Sequence, residues 1–445
     1  MGLALIILGA VVFFVSVALL GIALHKFCKS LTLGGTVLKV EGKIKWIFIA
    51  LVSCGAIGFL LLSLGMVLFN QWAFDAGNYV TIVFGSIFLG GGIHLFISSF
   101  TLYFARKDLD PKQRKVAQIC YISAICMVFA GLWMWTDSFA NFIDYPLPNS
   151  ISLKKGLGYP GDYDMTIAFY GIIIVGGAIV SYFVADHILY NKFGKHGILD
   201  TLFIVAFLMG LIGGRLWWCC ILEPQKIFYD NFWDSFVRLV DLRSGGMAIQ
   251  GGALLGIISG VWFALKFRKY INIRWLIDAG IPTILIAQAI GRWGNFFNQE
   301  VFGSVIDSNV WSFLPKMILN NMYIYSKTDH IMAYRLPLFL IESIINMAGY
   351  FIIRFAIGRG LKRFLRQGDQ AFMYLAWYGL VRVCLEPLRD GFTLNFGSSE
   401  AFGYLQSWVI AFVFLGVGIL GMVGIRVFEY IRRKKGYEVK AYETI

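Results

Sequence analysis

The stretch that decides the fold is AGIPTILIAQAIGRWGNFFNQEVFG, residues 279–303. Its first half, 279–290, is mostly apolar and suits burial in a lipid bilayer as a helix. The second half then adds an arginine, two asparagines and a glutamate: Arg292, Asn295, Asn298 and Glu300. A charge at the centre of a membrane helix costs about 2.5–3.5 kcal/mol on insertion scales, so charges in or beside such helices usually mark a site. The stretch therefore predicts a membrane protein with a polar site at a helix end.

The composition of the whole chain also indicates a membrane protein. Hydrophobic residues make up 58% of the sequence and charged residues 15%, whereas about a quarter of the residues in soluble domains are charged. About eleven apolar runs are long enough to cross a bilayer as helices: 3–24, 45–69, 79–104, 116–135, 166–186, 201–220, 246–265, 276–294, 336–356, 370–388 and 406–428. We expect an all-α polytopic membrane protein with about eleven transmembrane helices.

The basic residues predict how the chain is oriented in the membrane, because cytoplasmic loops retain Lys and Arg. Alternate connections are rich in them: 25–45, 105–115, 266–274, 354–367 and 432–440. We therefore expect the N-terminus outside and the C-terminus in the cytoplasm. The net charge of +13 then faces an anionic lipid surface. No soluble basic domain is present to bind nucleic acid, so no nucleic-acid partner is expected.

A polar loop rich in Pro, Gly and Asn divides the chain into regions of different character. Four helices almost free of intramembrane charge precede it, and seven helices that carry the ionisable residues follow it. The predicted domains are an accessory membrane region (1–135), an outer linker (136–164), a seven-helix domain (165–430) with an outer insertion (304–335), and a basic cytoplasmic tail (431–445). The sequence leaves the role of the first four helices and the oligomeric state undetermined.

Four clusters of charge fall at the predicted outer ends of helices: Arg215; Arg292 with Glu300; Glu342; and Arg382, Glu386 and Arg389. The last three are spaced i, i+4, i+7 and share a helix face with Tyr378. One interpretation is an internal salt-bridge network that only holds the helices together. The excess of arginine over glutamate favours a bound anion, and the planar guanidinium suits phosphate.

The glycines and cysteines of the chain are less specific. Gly251 and Gly252 follow Gln250 in AIQGG, and such pairs serve either close approach of a lipid headgroup or close packing of membrane helices. The seven cysteines form no CxxC pair and have no histidine at metal-ligand spacing. We expect neither a metal nor a cofactor.

Several motifs, in order along the chain, together resemble one known family. GRWGNFFNQEVFG (291–303) and YGLVRVCLEPLR (378–389) are the strongest, with weaker matches in FYGIIIVGG (169–177), GGRLWW (213–218), Asp278 and Pro337 with Glu342. From about residue 164 to 430 the chain resembles the prolipoprotein diacylglyceryl transferases, integral enzymes of bacterial lipoprotein maturation. Residues 1–135 lie outside the resemblance.

The resemblance implies a reaction and a set of site residues. The diacylglyceryl group of phosphatidylglycerol would move to the lipobox cysteine of a prolipoprotein, giving a thioether and releasing glycerol phosphate, at the outer leaflet of the bacterial cytoplasmic membrane. Residues implied for catalysis are Arg292, Arg382, Tyr378, Glu386, Glu342 and Gln250. Residues implied for substrate binding are Tyr170, Arg215, Gly251, Gly252, Asn295, Asn298, Glu300, Gly303 and Arg389.

Two positions depart from the family pattern. Gln250 stands where the family commonly has histidine or tyrosine, and Leu336 stands where a histidine often precedes the proline. Because glutamine cannot take a proton, either the thiol base lies elsewhere, at Glu386, Glu342, Tyr378 or His330, or a histidine at this position is not an obligatory base in this fold. The alternative function is a membrane transporter or binder of anionic phosphate-containing lipids or metabolites, using the same arginines.

Overall fold

The structure, a computed structural model, describes residues 2–32, 37–69, 76–105, 111–152, 166–194, 197–222, 249–267, 272–390 and 399–436, with single positions 233, 235, 236 and 239. The helices are α1 (Gly2–Thr32), α2 (Val37–Phe69), α3 (Ala76–Ala105), α4 (Pro111–Phe139), α5 (Phe169–Phe193), α6 (Asp200–Trp217), α7 (Ile249–Phe267), α8 (Ile273–Gly280), α9 (Ile284–Asn298), α10 (Lys316–Asn321), α11 (Leu338–Phe351), α12 (Asp369–Leu385) and α13 (Ser399–Lys434).

Short irregular elements extend or join several of these helices. Two π-helical turns follow α6 and α11, at Trp218–Leu222 and Ile352–Ile357, and a single turn Gly358–Gly360 comes next. Turns of 3-10 helix lie at Ala140–Phe142, Ile281–Thr283, Lys362–Phe364 and Glu386–Leu388. The strands pair as β1 (Ser150–Ser152) with β2 (Thr166–Ala168), antiparallel, and β3 (Tyr323–Tyr325) with β4 (Met332–Tyr334).

Nine helical segments among the described residues are long and apolar enough to cross a membrane. They comprise α1 to α6, α8 together with α9, α11 with its π-helical extension, and α13. The other two predicted spans, 246–265 and 370–388, fall largely on α7 and α12, helices of 19 and 17 residues that are not among these nine. The chain is therefore an all-α polytopic membrane protein, as predicted from its composition.

The described chain separates into two compact units. The first comprises Met1–Leu147 and Asp307–Tyr323, and the second comprises Pro148–Ile306 and Ile324–Ile445. In the first unit α1 packs along α2 and α3 along α4. Polar groups between these helices are paired: His94 is fully buried, and its Nε2 lies 2.8 Å from Ser16 Oγ.

The first unit also includes part of the predicted outer insertion. At α10, the Lys316 ammonium lies 3.5 Å from Asp137 Oδ2. Asn321, which is fully buried, accepts a 2.9 Å hydrogen bond from the Leu147 backbone N–H through its Oδ1. The predicted insertion 304–335 thus divides, because 307–323 belongs to the first unit and the remainder to the second.

In the second unit α9 packs against both α5 and α11, while α6 pairs with α7 and α12 with α13. An apolar core joins α9, α11 and α12 through Leu285, Ile286, Tyr350 and Tyr374. The fully buried Asp278 of α8 fixes the beginning of α12, where it accepts hydrogen bonds from the backbone N–H groups of Gly368 (2.6 Å) and Ala371 (3.1 Å). These contacts set the positions of the helices that carry the site.

Candidate active site

Five charged side chains of the second unit form one continuous series of ion pairs, which we call the arginine–glutamate chain. Arg292 Nη2 lies 2.7 Å from Glu342 Oε1, and Arg382 Nη1 lies 3.6 Å from the same oxygen. Arg382 Nη2 lies 2.6 Å from Glu386 Oε2, whose other oxygen lies 2.6 Å from Arg389 Nη1. The structure thus brings together five of the residues that the sequence placed in a site.

Antiparallel packing explains how residues distant in sequence meet. Arg292 of α9 faces Glu342 near the start of α11, and a turn away Ser343 Oγ donates a 2.8 Å hydrogen bond to the Ala289 carbonyl. Arg382 lies in the last turn of α12 and Glu386 in the 3-10 turn that follows. The chain of ion pairs therefore runs across three helices at the level where α11 begins and α12 ends.

Burial and charge make this chain suited to an anion. The Glu342 and Glu386 side chains are 3% and 0% exposed, while those of Arg292, Arg382 and Arg389 are 17%, 14% and 21% exposed. Both carboxylates are paired with arginines. Because three guanidiniums face two carboxylates, one positive charge stays unbalanced. The guanidiniums of Arg292 and Arg382 also have donors beyond those used in the ion pairs, so a phosphate group can contact both.

The turn after α9 carries the remaining residues of the signature. Gln299 adopts a left-handed conformation (φ 52°) that ends the helix, and the Glu300 N–H bonds back to the Asn295 carbonyl at 2.9 Å. Asn298 Nδ2 donates to Glu300 Oε1 at 3.2 Å. Beyond it, Gly303 forms an antiparallel bridge with Arg389.

Gly303 is required by close approach of the backbone. A Cβ at this position would lie 2.7 Å from the Leu388 carbonyl oxygen, and the Gly303 N–H donates to the Leu336 carbonyl at 3.0 Å. The bridge therefore ties the signature turn to Arg389, the last member of the arginine–glutamate chain. Tyr170 of α5 packs against Gly294, whose hypothetical Cβ would lie 2.7 Å from the Tyr170 ring.

A second ion cluster, which the sequence analysis missed, anchors the hairpin formed by β3 and β4. Arg335 is fully buried and contacts both Asp329 carboxylate oxygens, at 2.6 and 2.7 Å, with Asp390 Oδ1 at 3.5 Å. The Arg335 guanidinium lowers the pKa of Asp329 to about 2 through these hydrogen bonds. Because Asp390 follows Arg389, the cluster holds the backbone next to the arginine–glutamate chain. Charges in a long segment between two helices look like ordinary surface residues in sequence, so no signal pointed to this pairing.

Other predicted site residues lie on α6 and α7. Arg215 Nε donates to the Leu239 carbonyl at 3.0 Å, and its guanidinium lies over the Trp218 ring at 5.1 Å. A Cβ on Gly251 would lie 2.2 Å from the Gly213 carbonyl oxygen. Helix packing therefore explains Gly251, and Gly252 likewise approaches the Gly210 carbonyl oxygen. Gln250 lies in the first turn of α7, with its side chain outside the described residues.

Tyr378 lies one turn before Arg382 on α12. Its ring stacks on Tyr374 at 6.2 Å between centroids and meets Phe414 of α13 edge-on at 5.6 Å. Within the described part of the chain, no group of three or more His, Cys, Asp or Glu residues could hold a metal ion. The side chains that the structure places at the site carry guanidinium, carboxylate and phenol groups.

Comparison with known proteins identifies the family of this chain. The sequence profile of the family described as prolipoprotein diacylglyceryl transferase matches residues 163–423. A phosphatidylglycerol–prolipoprotein diacylglyceryl transferase of Streptococcus pneumoniae is 33% identical over 273 residues, covering 61% of this chain and 92% of the relative. One from Streptococcus suis is 32% identical over 272 residues, covering 61% and 90%. The matched region contains every member of the arginine–glutamate chain, and the protein belongs to the prolipoprotein diacylglyceryl transferase family.

Proposed function

We propose that this protein transfers the diacylglyceryl group of phosphatidylglycerol to the lipobox cysteine of prolipoproteins. The observation that carries the proposal is the arginine–glutamate chain, in which Arg292 and Arg382 share one carboxylate oxygen of Glu342. The named activity of the relatives, over nearly their whole length, supports the same reaction. The product is a thioether, and the leaving group is glycerol phosphate.

The reaction places a demand on the site that the arginines meet. The cysteine sulfur forms a bond to the terminal carbon of the diacylglyceryl group, and the bond from that carbon to the phosphate oxygen breaks. Negative charge therefore grows on the phosphate as it leaves, and donors already fixed in position stabilise it most. Glu342 fixes Arg292 and Arg382, so little reorganisation of these guanidiniums is needed during the reaction.

The thiol must lose its proton, since a cysteine pKa near 8.5 leaves only a few per cent thiolate at neutral pH. The unbalanced positive charge of the arginine–glutamate chain favours the thiolate. The candidates for the proton are Glu386, Glu342, Tyr378 and His330, and Gln250 would place the headgroup or peptide by hydrogen bonds.

The proposal includes a location and a division of labour. We place the protein in the bacterial cytoplasmic membrane with eleven spans, the N-terminus outside and the site toward the outer leaflet. The basic connections such as 105–115 and 266–274 support this orientation. Residues 165–430 would form the transferase domain and 1–135 an accessory region. Tyr170, Asn295, Asn298, Glu300 and Gly303 would shape the lipid pocket together with Arg215 and Arg389.

A reconstitution assay tests the proposal. Purified protein receives phosphatidylglycerol and a lipobox peptide, and both glycerol phosphate and the lipidated peptide are measured. We expect the two products in equal amounts, with none from a peptide whose cysteine is replaced by serine. Lipid binding without either product would favour the alternative, a transporter or binder of phosphate-containing lipids or metabolites.

A further inference from the structure

Four buried polar atoms on α9, α11 and α12 have no hydrogen-bond partner among the described residues. They are Gln288 Oε1, Asn346 Oδ1, Asn346 Nδ2 and Trp377 Nε1. Asn346 is fully buried, and a buried amide without partners is unusual because water satisfied it in the unfolded chain. These atoms therefore have hydrogen-bonding capacity that a ligand could use, and we call Gln288, Asn346 and Trp377 the polar layer.

The contacts of the three helices place this polar layer directly inward of the arginine–glutamate chain. Gln288 precedes Arg292 by one helical turn, and Asn346 follows Glu342 by one turn. Because α9 and α11 are antiparallel, both steps lead away from the Arg292–Glu342 pair in the same direction. The apolar core that includes Leu285 and Tyr350 closes the region on the inner side.

Trp377 reaches the same level from α12. A Cβ on Gly349, three residues beyond Asn346 on α11, would lie 2.2 Å from Trp377 Nε1. The Gln288 amide donates a 3.1 Å hydrogen bond to the hydroxyl of Tyr374, which lies one turn from Trp377. Trp377 packs against the apolar core that contains Tyr374, so the polar layer lies where the ion pairs meet that core.

The unpaired atoms define what the polar layer can bind. They offer two kinds of donor, on Asn346 and Trp377, and two acceptor oxygens, on Gln288 and Asn346. Asn346 needs a ligand that both donates and accepts, whichever way its amide is turned. Phosphate oxygens and ester carbonyls of a phosphodiester lipid only accept, and acyl chains do neither. A pair of hydroxyl groups satisfies every member.

We infer that the polar layer binds the two hydroxyls of the glycerol headgroup while the arginine–glutamate chain holds the adjacent phosphate. One helical turn, about 5.4 Å, separates the two levels, and the hydroxyls of glycerol phosphate lie only a few bonds from the phosphorus. Asn346, Gln288 and Trp377 are then specificity-determining residues that select a diol headgroup. This inference rests on the proposed function, since it assigns the part of phosphatidylglycerol that these residues recognise.

The test compares two lipids that differ only in the hydroxyls. Phosphatidylglycerol and phosphatidylpropanol carry the same phosphodiester charge, and kcat/KM is measured with each for the parent, Asn346→Leu and Trp377→Phe. We expect the parent to prefer phosphatidylglycerol by about tenfold or more, since two hydroxyls with several hydrogen bonds are lost. Asn346→Leu should bring the ratio close to one by slowing only the phosphatidylglycerol reaction, and Trp377→Phe should lower it part of the way.

The variants are expected to fold, because replacing an unpaired buried amide by an apolar side chain of similar size is close to neutral or stabilising. Ser181→Ala is the matched control: Ser181 is also a buried polar residue of the second unit, but its hydroxyl is paired with Thr283 at 2.8 Å. It should keep the parent preference. Thermal unfolding with each lipid gives a second measurement that does not need turnover, and phosphatidylglycerol should stabilise the parent more than Asn346→Leu.

Two results would overturn the inference. An equal loss on both lipids in Asn346→Leu would mean that the polar layer holds only ordered water or serves packing. A preference that survives in Asn346→Leu would mean that the hydroxyls bind elsewhere. Parent protein that is stabilised selectively by phosphatidylglycerol but forms no thioether would contradict the proposed function and leave the headgroup assignment standing.

Discussion

Removing Arg382 tests whether the arginine–glutamate chain is a catalytic device or only a structural one. Arg382→Ala deletes a guanidinium that lies 2.6 Å from Glu386 and 3.6 Å from Glu342. If this group stabilises the departing phosphate, turnover should fall about 10²- to 10³-fold, or about 2.7–4 kcal/mol, the effect of losing one preorganised donor. Turnover is measured as lipidated peptide formed from phosphatidylglycerol.

The same change should also cost stability, which would complicate a single variant. Glu386 is fully buried, and losing one of its two arginine partners leaves part of a charged group unpaired, at a cost of about 1–3 kcal/mol. The net charge of the arginine–glutamate chain falls from +1 to zero. Reduced turnover in Arg382→Ala alone would therefore fit either explanation.

A second variant separates the two effects. In Arg382→Ala/Glu386→Gln the stranded carboxylate is neutral and the net charge returns to one positive, so we expect thermal stability in detergent to recover at least in part. Turnover should stay at the level of the single variant, because the phosphate donor is still missing. Recovery of turnover along with stability, or single-variant turnover within tenfold of the parent, would refute the phosphate-clamp reasoning.

Three further predictions concern single positions. Arg292→Lys should restore little of the activity lost in Arg292→Ala, because an ammonium cannot make the bidentate contact; equal turnover of Arg292→Lys and the parent would contradict this. Gln250→His should stay active, and Gln250→Ala should lose only about 0.5–1.5 kcal/mol of transition-state stabilisation, the contribution of one neutral hydrogen bond. If Gln250→Ala is as inactive as Arg382→Ala, the residue at position 250 is essential for catalysis and the placement of the base elsewhere loses its support. The Arg335–Asp329 pair should stabilise the parent relative to Asp329→Asn at every pH above about 4, the ordinary range of an Asp pKa. Since the folded pKa is about 2, this difference in thermal midpoint should shrink only as pH falls from about 4 toward 2.

Local spacing made part of the site predictable from sequence. The i, i+4 positions of Arg382 and Glu386 predict a pair within one helix, and the structure has that pair at 2.6 Å. Arg389 was expected on the same helix face, but α12 ends at Leu385 and a 3-10 turn brings Arg389 back to Glu386. The lengths of the apolar segments likewise predicted the helices. A segment that crosses a bilayer must satisfy its backbone hydrogen bonds internally, and a helix does so.

Contacts between helices were beyond the reach of local patterns. Arg292 and Glu342 are separated by 50 positions, and their spacing does not predict which charged residues at the ends of different helices come into contact. Asn346 and Trp377 read as ordinary members of apolar helices, because a lack of partners becomes visible only when neighbours are placed. The division of residues 304–335 between the two units could not be predicted for the same reason: Asn321 accepts a hydrogen bond from the Leu147 backbone, 174 positions away in sequence.

The two interpretations of the charged cluster, a structural network and an anion site, describe one arrangement. Three partly buried arginines without carboxylates would carry a desolvation and repulsion cost, which ion pairing reduces. Glu342 and Glu386 pair with the guanidiniums and hold them in place, while one positive charge stays unbalanced. A single carboxylate oxygen shared by Arg292 and Arg382 holds the two guanidiniums close together, so a phosphate between them can be contacted by both. We therefore expect the glutamates to affect turnover through the arginines that they position. For this reason the double variant at positions 382 and 386 separates loss of the phosphate donor from loss of stability, which a single variant does not.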